Sequence, residues 1–274
     1  MAAKRRLVGA LVVLGLITGL PSCWSAMREP PGLQELSAGA PASTPEQADA
    51  LCEQAAASFA RRTWDDVAHA ADLWTRAAAG APERVEPLIE AVRARIWLSD
   101  HADDDAVRLQ QIVSAVQTAQ WCPRRAPGDP RCDYWLGAAL GIQARERRST
   151  ALDALPKIVE LFQSAIEGDP TIEQGGPDRA LALTYLRAPG WPTGPGDPDL
   201  GLEHARRAVD LNPDYPPNQL ALGEALAAVD DPEASRAAYE TGLAKARGMA
   251  RDEHPEADAW VEEAERALEK GEHG

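Results

Sequence analysis

Apolar residues recur at every third or fourth position along most of the chain, which is the spacing of one buried helix face. The first stripe runs from Ala48 to Phe59 and follows Thr44-Pro45, a typical helix start. Further stripes occupy residues 67–77, 85–96 and 106–116. The sequence contains no alternating β-branched runs between turn residues, which would indicate strands. It therefore predicts an all-α fold.

The predicted helices come in pairs, because one helix end recurs with the arrangement Ala-x4-Pro. The copies are Ala77 to Pro82, Ala165 to Pro170 and Ala208 to Pro213. Proline ends one helix there and suits the first turn of the next. Leu140-Gly141 and Leu222-Gly223 fit the first helix of a tetratricopeptide-type (TPR) repeat, in which stacked helix pairs bury a continuous core. We expect residues 45–274 to form a TPR-like α-solenoid of roughly four to five helical hairpins with irregular repeats.

Two insertions interrupt the repeat spacing. Five extra residues lie between Leu140 and Ala165, and seven lie between Leu181 and Ala208. We expect Pro156 to split or restart a helix in the first insertion. The second contains a segment rich in proline and glycine at 187–198, and long loops of this kind are usually functional or mobile.

The N-terminus has the pattern of an exported lipoprotein. Three basic residues precede a 14-residue apolar run at 7–20, which is too short to span a membrane comfortably. Pro21-Ser22-Cys23 follows and is similar to a lipobox. We expect residues 1–22 to be a signal peptide, Cys23 to be lipidated, and residues 23–44 to form a flexible tether. The alternative is an uncleaved anchor with a chance cysteine. Trp24 is not an aspartate retention signal, so the default location is the periplasmic side of the outer membrane.

The charge of the chain excludes some partners. The 274 residues carry 28 Lys and Arg against 43 Asp and Glu, a formal charge of −15. Residues 1–22 contribute three of the basic residues and no acidic residue, so residues 23–274 carry −18. This excess argues against nucleic acid as a partner, and against a basic patch that docks on anionic lipid.

The positions of the cysteines and histidines indicate structural roles and do not indicate catalysis or metal binding. Cys122 and Cys132 bracket a short loop, and in an exported protein we expect them to pair as a disulfide. Cys52 lies on an apolar helix stripe and is expected to be a buried thiol, although its pairing with either loop cysteine is also open. The five histidines have no nucleophile or metal ligand at motif spacing. We expect no enzyme activity, no metal and no cofactor.

Residues 131–245 resemble the TPR lipoproteins associated with TRAP transporters, the TatT family. The specific matches are Gly175-Gly-Pro-Asp-Arg179 before a helix and Tyr185-Leu-Arg-Ala-Pro189, with Cys132-Asp-Tyr-Trp-Leu-Gly137 upstream. The resemblance implies a periplasmic lipoprotein that assembles as a homotrimer and works with a TRAP-type solute-binding protein. It also implies an apolar ligand in the helical interior. The alternative function is a scaffold lipoprotein for envelope assembly that binds peptides or proteins.

Five residues in or beside the matching half are candidates for ligand or partner contact: Trp121, Trp135, Arg179, Tyr185 and Trp191. A solenoid interior could gather the aromatic residues of this set. Arg179 has an alternative role, in which it ties the start of its helix to a neighbouring carboxylate. The alternative for Trp191 is that it caps the core beneath its loop.

Overall fold

The computed structural model describes residues 27–37 and 43–272. Helices make up most of this range, and a 3₁₀ turn lies at Ile172–Gln174. The α-helices are α1 (Leu33–Leu36), α2 (Pro45–Phe59), α3 (Trp64–Gly80), α4 (Glu86–Asp100), α5 (Asp105–Ala119), α6 (Trp121–Arg125), α7 (Pro130–Glu146), α8 (Arg148–Gly168), α9 (Gly176–Arg187), α10 (Pro198–Leu211), α11 (Pro216–Ala228), α12 (Pro232–Arg251) and α13 (Ala257–Glu272). Each of these helices is too short or too polar to cross a lipid bilayer.

Most of the helices pack as consecutive antiparallel pairs. The pairs are α2 with α3, α4 with α5, α7 with α8, α9 with α10 and α11 with α12, and α13 packs on the last pair. From the second pair onward, the first helices of neighbouring pairs also touch: α4 contacts α7, α7 contacts α9, and α9 contacts α11. The structure confirms the all-α prediction, since the β-type pairing in the described ranges is a single isolated bridge between Gly190 and Gly196.

Local sequence explains where several of these helices begin. The side chain of Asp104 accepts hydrogen bonds from the backbone N–H groups of Ala106 and Val107 at the start of α5. Asp197 and Asp231 cap α10 and α12 in the same way. Such caps satisfy backbone N–H groups that have no partner within the helix, so they set the boundary locally.

Small residues in the core allow the paired helices to lie close together. Gly137 in α7 faces the ring of Phe162 in α8, so that a Cβ at this glycine would lie 2.9 Å from the ring. Trp74 is buried in the first hairpin, where its ring contacts Phe59 with centroids 5.4 Å apart. Trp74 therefore packs within the core, as its repeat position predicts.

The prediction that Pro156 splits a helix is wrong. Pro156 lies inside α8, which continues without a break from Arg148 to Gly168. Proline removes one backbone hydrogen bond, in this case the one to the carbonyl of Leu152. Both Leu152 and Pro156 are exposed, so water can satisfy that carbonyl while the rest of the helix stays packed.

Part of the expected tether is packed instead of flexible. Residues 27–37, which we call the N-terminal arm, lie on the folded body, and Leu33 is buried against α3 and α4. The apolar side chains of the arm explain this, because they can bury surface that a solvated linker would leave exposed. The predicted signal peptide (1–22) and the lipidation site Cys23 lie outside the described residues.

The connection between α5 and α7 is closed by a disulfide. Cys122 in α6 and Cys132 in α7 are joined, with their Cα atoms 5.2 Å apart. Cys52 is free and only partly buried, where it packs beside Ala48 and Ala77. Neither loop cysteine therefore pairs with Cys52.

Replacing both disulfide cysteines, Cys122→Ser with Cys132→Ser, is expected to lower the free energy of unfolding by roughly 2 to 3 kcal/mol, because the unfolded chain regains the entropy that the closed loop removes. Urea denaturation of the variant and the oxidised parent measures this difference. Cys52→Ser is the control and should lie within about 1 kcal/mol of the parent, since this thiol is unpaired and half-buried. An unchanged midpoint in the double variant would contradict the prediction.

Candidate functional site

An apolar pocket of about 590 Å³ lies between the first helices of two neighbouring hairpins, α7 and α9, and α8 forms its third wall. Its size falls within the range of small-ligand sites. The residues that line it are Ala138, Gly141, Ile142, Ala144, Arg145, Ala151, Leu152, Leu155, Ile158, Phe162, Ala180, Leu183, Thr184, Arg187, Ala188 and Pro189.

The interior of this pocket offers almost no polar group to a ligand. Thr184 is a polar exception, and its hydroxyl already donates a hydrogen bond to the carbonyl of Ala180 at 2.8 Å. A polar ligand would lose its hydration there without gaining new hydrogen bonds, which is unfavourable. The pocket therefore suits an alkyl or aryl group.

Two arginines in the pocket wall join neighbouring first helices. Arg145 in α7 donates to Asp100 at the end of α4 at 3.2 Å, and also pairs with Glu146. Arg187 in α9 makes a two-point contact with Glu224 in α11, with distances of 2.8 and 2.6 Å. These pairs are half-exposed, so each contributes modestly to stability. They connect the two helices that flank the pocket, α7 and α9, to the next first helix on the outer side, α4 and α11 respectively.

Both insertions identified in the sequence contribute to the pocket. The first supplies Leu152 and Leu155 on α8, and the second supplies Ala188 and Pro189. The two segments also touch each other, because a Cβ at Gly194 would lie 3.5 Å from the side chain of Leu155. The departures from a regular repeat therefore meet at one place.

The second insertion presents a tryptophan to solvent. Backbone hydrogen bonds from Gly196 to Pro189 and from Asp197 to Tyr185, at 2.8 and 3.0 Å, hold the loop closed. Trp191 at its tip is 90% exposed. An exposed tryptophan on a constrained loop is typical of a binding surface.

Other exposed apolar side chains lie on the elements around the pocket. Of the described residues, the large hydrophobic side chains that are exposed are Leu152, Trp191, Leu200 and Leu211. Leu152 lines the pocket, Trp191 lies on the loop that borders it, and Leu200 lies in the first turn of α10 directly after that loop. We call Leu152, Trp191 and Leu200 the apolar rim. Large apolar side chains that stay exposed on and next to the elements of a pocket favour interaction with a partner.

The five candidate residues do not come together in one site. Trp121 donates its indole N–H to the carbonyl of Pro31 in the arm at 3.0 Å. Trp135 packs against Tyr134, with ring centroids 5.1 Å apart. Tyr185 is buried against the ring of His204 at 5.7 Å. Trp121, Trp135 and Tyr185 therefore pack within the protein, and Trp191 is the member of the set that faces solvent beside the pocket.

Arg179 ties together the start of α9, as its alternative role predicts, but its partner is not a carboxylate. Its guanidinium donates to the side-chain oxygen of Asn218 at 2.7 Å and to the carbonyl of Glu173 at 3.3 Å. It also lies over the ring of Tyr215 at 5.1 Å from the centroid. Arg179 therefore joins α9 to α11 inside the fold.

The segment held by this network has an unusual backbone. Glu173, Gln174 and Gly175 all have positive φ angles, of 46°, 62° and 86°. Such angles are unfavourable for the two residues with side chains, so surrounding contacts must maintain them. Asn218 supplies these contacts, since its amide donates to the carbonyl of Gln174 at 2.9 Å and to that of Ala208 at 2.8 Å.

Asp178 and His204 form a buried pair for which the sequence carries no local signal. A carboxylate oxygen of Asp178 lies 2.7 Å from Nδ1 of His204, and the two residues are 2% and 9% exposed. They belong to different helices and lie 26 positions apart, so no local spacing relates them. The site has no cluster of three metal-binding side chains, nor has any other part of the described chain.

Comparisons with known proteins identify the fold of this chain but not its activity. No protein-family model matches the chain, and no curated protein is significantly similar to it. The solved structure of TTC0263, a thermophilic TPR protein of Thermus thermophilus, is similar with a TM-score of 0.58 at 18% identity, covering 81% of this chain and 98% of that one. A structure of a MamA double mutant (RS-1 ArsTM) has a TM-score of 0.49 at 17% identity, with coverages of 76% and 98%. The first similarity confirms a TPR-type solenoid.

Proposed function

We propose that this protein is a TPR-type binding protein that recognises a protein partner through the apolar rim and receives an apolar group in the pocket. The finer form of the proposal is an exported, lipid-anchored accessory component of a TRAP-type uptake system. In that form the partner is the periplasmic solute-binding protein, the apolar group belongs to a small ligand, and the protein is a homotrimer. The observation that carries the proposal is the pocket with almost no polar group in its interior, beside the exposed Trp191.

The TRAP form rests on the lipobox at Cys23 and on the TatT resemblance of residues 131–245. Part of the resembling text, the segment from Tyr185 to Pro189, leads into the loop that borders the pocket. The alternative, a scaffold for envelope assembly, is favoured by the exposure of Leu152, which leaves the pocket open to a side chain of a bound peptide.

Co-purification from detergent-solubilised membranes separates these two forms. Recovery of a TRAP-type solute-binding protein with the tagged full chain supports the first form. Recovery of envelope-assembly proteins without any solute-binding protein contradicts it and supports the second. Light scattering of residues 24–274 tests the trimer, and a monomer at micromolar concentration would contradict it.

Gly141→Leu is expected to block the pocket without harming the fold. A Cβ at Gly141 meets no atom within 4 Å, so the leucine side chain can occupy the pocket. Binding of the apolar fluorescent probe 1-anilinonaphthalene-8-sulfonate should weaken at least about tenfold, and helix stability should rise by roughly 0.8 kcal/mol. Fluorescence titration and thermal unfolding measure the two effects.

Gly248→Leu is the matched control for this prediction. Gly248 is also a helical glycine in open space, since the nearest atom to its added Cβ is a side-chain nitrogen at 3.9 Å, and it does not line the pocket. This variant should gain the same helix stability and bind the probe like the parent. Equal probe binding by Gly141→Leu and the parent would place the probe elsewhere and contradict a pocket role.

Trp191→Ala is expected to weaken binding of the co-purified partner about thirtyfold while leaving the melting temperature unchanged, because the side chain is exposed in the free protein and would be buried in the complex. Calorimetric titration with the partner measures the change. Leu211→Ala is the control, since Leu211 is an exposed large hydrophobic residue outside the apolar rim. A similar loss in both variants would contradict a specific role for Trp191.

A further inference from the structure

The N-terminal arm is held on the body by contacts along its whole length. Glu29 makes a two-point ion pair with Arg124 in α6, at 2.5 and 2.9 Å. Two residues later, the carbonyl of Pro31 accepts the indole N–H of Trp121 at 3.0 Å. These contacts join the start of the arm to α6.

The second half of the arm enters the core. Leu33 is buried with Cys122 and Cys132 in one apolar cluster. The carbonyl of Leu36 accepts a hydrogen bond from the buried guanidinium of Arg95 at 3.1 Å. The arm is therefore part of the folded body, and Met27 is its first described residue.

The distance from Met27 to the proposed lipid is short. Four peptide units separate Cys23 from Met27, so an extended chain could span at most about 14 Å. A lipid on Cys23 would therefore hold the surface around Met27 and α6 close to the bilayer, whatever conformation the intervening residues adopt.

The surface at this point differs in charge from the rest of the protein. We call residues 27–37 and 121–131 the arm surface. It contains four arginines and three carboxylates, and Glu83 and Glu86, which interact with Arg125 and Arg131, bring the carboxylates at this surface to five. The surface is therefore close to neutral in a chain whose residues 23–274 carry −18, so an anionic bilayer would repel it less than it repels most of the protein. Trp121 and Arg124, whose guanidinium carbon lies 5.5 Å from the indole centroid, also belong to the residue types that occur at membrane interfaces.

We propose that the arm surface is the membrane-facing side of this protein, and that the packed arm with its short connection to Cys23 keeps it there. The proposal rests on the proposed lipidation of Cys23. The arm surface contributes no residue to the pocket. In this orientation we expect the pocket and Trp191 to remain open to soluble partners while the protein is anchored.

Depth-dependent quenching tests this orientation with the full lipidated chain in vesicles of phosphatidylethanolamine and phosphatidylglycerol. Single bimane probes are placed at Glu83→Cys and Thr193→Cys in a Cys52→Ser background. Glu83 is exposed and interacts electrostatically with Arg125 in α6, whereas Thr193 is exposed in the Trp191 loop. Doxyl-labelled lipid should quench the probe at position 83 at least about threefold more than the probe at position 193, given the short reach of the connection.

The outcomes separate this proposal from the lipoprotein proposal. Vesicles that float with the protein but quench both probes equally would overturn the orientation and leave lipidation intact. Protein that does not float with vesicles would overturn both.

A second variant tests whether the short segment between Cys23 and Met27 sets the orientation, with every residue of the folded body unchanged. Ten Gly and Ser residues inserted between Ser25 and Ala26 lengthen the reach by roughly 15 to 20 Å, and should reduce the difference between the two probes. The same ten residues added after Gly274 are the matched control and should leave the difference unchanged. If the N-terminal insertion also leaves it unchanged, the short connection does not set the orientation.

Discussion

Asn218→Leu is expected to lower the free energy of unfolding by roughly 4 kcal/mol, the largest effect of any substitution proposed for this protein. Asn218 is fully buried, and its amide nitrogen lies 2.8 to 3.0 Å from the carbonyl oxygens of Gln174, Ala208 and Asn212, so that its two N–H groups serve three acceptors with one N–H shared. Its oxygen accepts from Arg179. Leucine has a similar volume but can make none of these bonds, so several buried polar groups would lose a partner.

The strained backbone at 173–175, where φ is positive, should increase the loss of stability in Asn218→Leu. Asn218 and Arg179 hold this segment by donating to the carbonyls of Gln174 and Glu173. Without these bonds the segment should relax, and α9 should lose its fixed position against α11. Urea denaturation measures the stability, and hydrogen exchange of the α9 amides measures the local loosening.

Gln219→Met provides a matched control on the neighbouring residue. Gln219 is also buried, but its amide makes a single hydrogen bond, to the carbonyl of Pro213 at 3.1 Å. We expect a loss of about 1 kcal/mol for this variant. If Asn218→Leu costs no more than Gln219→Met, then the network does not hold the segment.

His204→Ala is expected to cost roughly 3 kcal/mol, since it leaves the carboxylate of Asp178 buried without a partner. Asp178→Ala should cost less, because the remaining imidazole can be neutral and needs less solvation than a carboxylate. The double variant should cost less than the sum of the two single variants, because they share one interaction. A double-mutant cycle from urea denaturation measures this coupling.

The control for the cycle is His69→Ala. His69 lies on the exposed side of α3, so its loss should change stability by about 0.5 kcal/mol or less. Additive single effects of His204→Ala and Asp178→Ala would show that the two side chains do not interact in solution, and would contradict the pair.

The helices and their pairing could be predicted because the signals that produce them act over a few residues. Apolar spacing selects the helical period, and capping residues such as Asp104 and Asp197 satisfy N–H groups two or three positions away. The recurrence of Ala-x4-Pro then predicts the stacking of pairs. The prediction for Pro156 is wrong because the effect of a proline depends on whether the affected carbonyl faces water, which local sequence does not specify.

The candidate site could be predicted only in part. The loop at 187–198 and the exposed Trp191 lie where the insertion predicts an irregular segment, so the position of the loop was available from spacing. The expectation that the solenoid interior gathers these tryptophans does not predict which of them lie at the pocket. Trp121 and Trp135 pack against Pro31 and Tyr134, and neither lines the pocket.

The amino-acid sequence alone determined the all-α class, the hairpin repeat and the two places where that repeat is interrupted, because each depends on neighbours along the chain. The tertiary structure decided that both interruptions meet at one apolar pocket, that Asp178 meets His204, and that the N-terminal arm is packed. These features join residues from different helices. Their partners are therefore selected by which surfaces the stacked hairpins bring together, and no spacing along the chain encodes that selection.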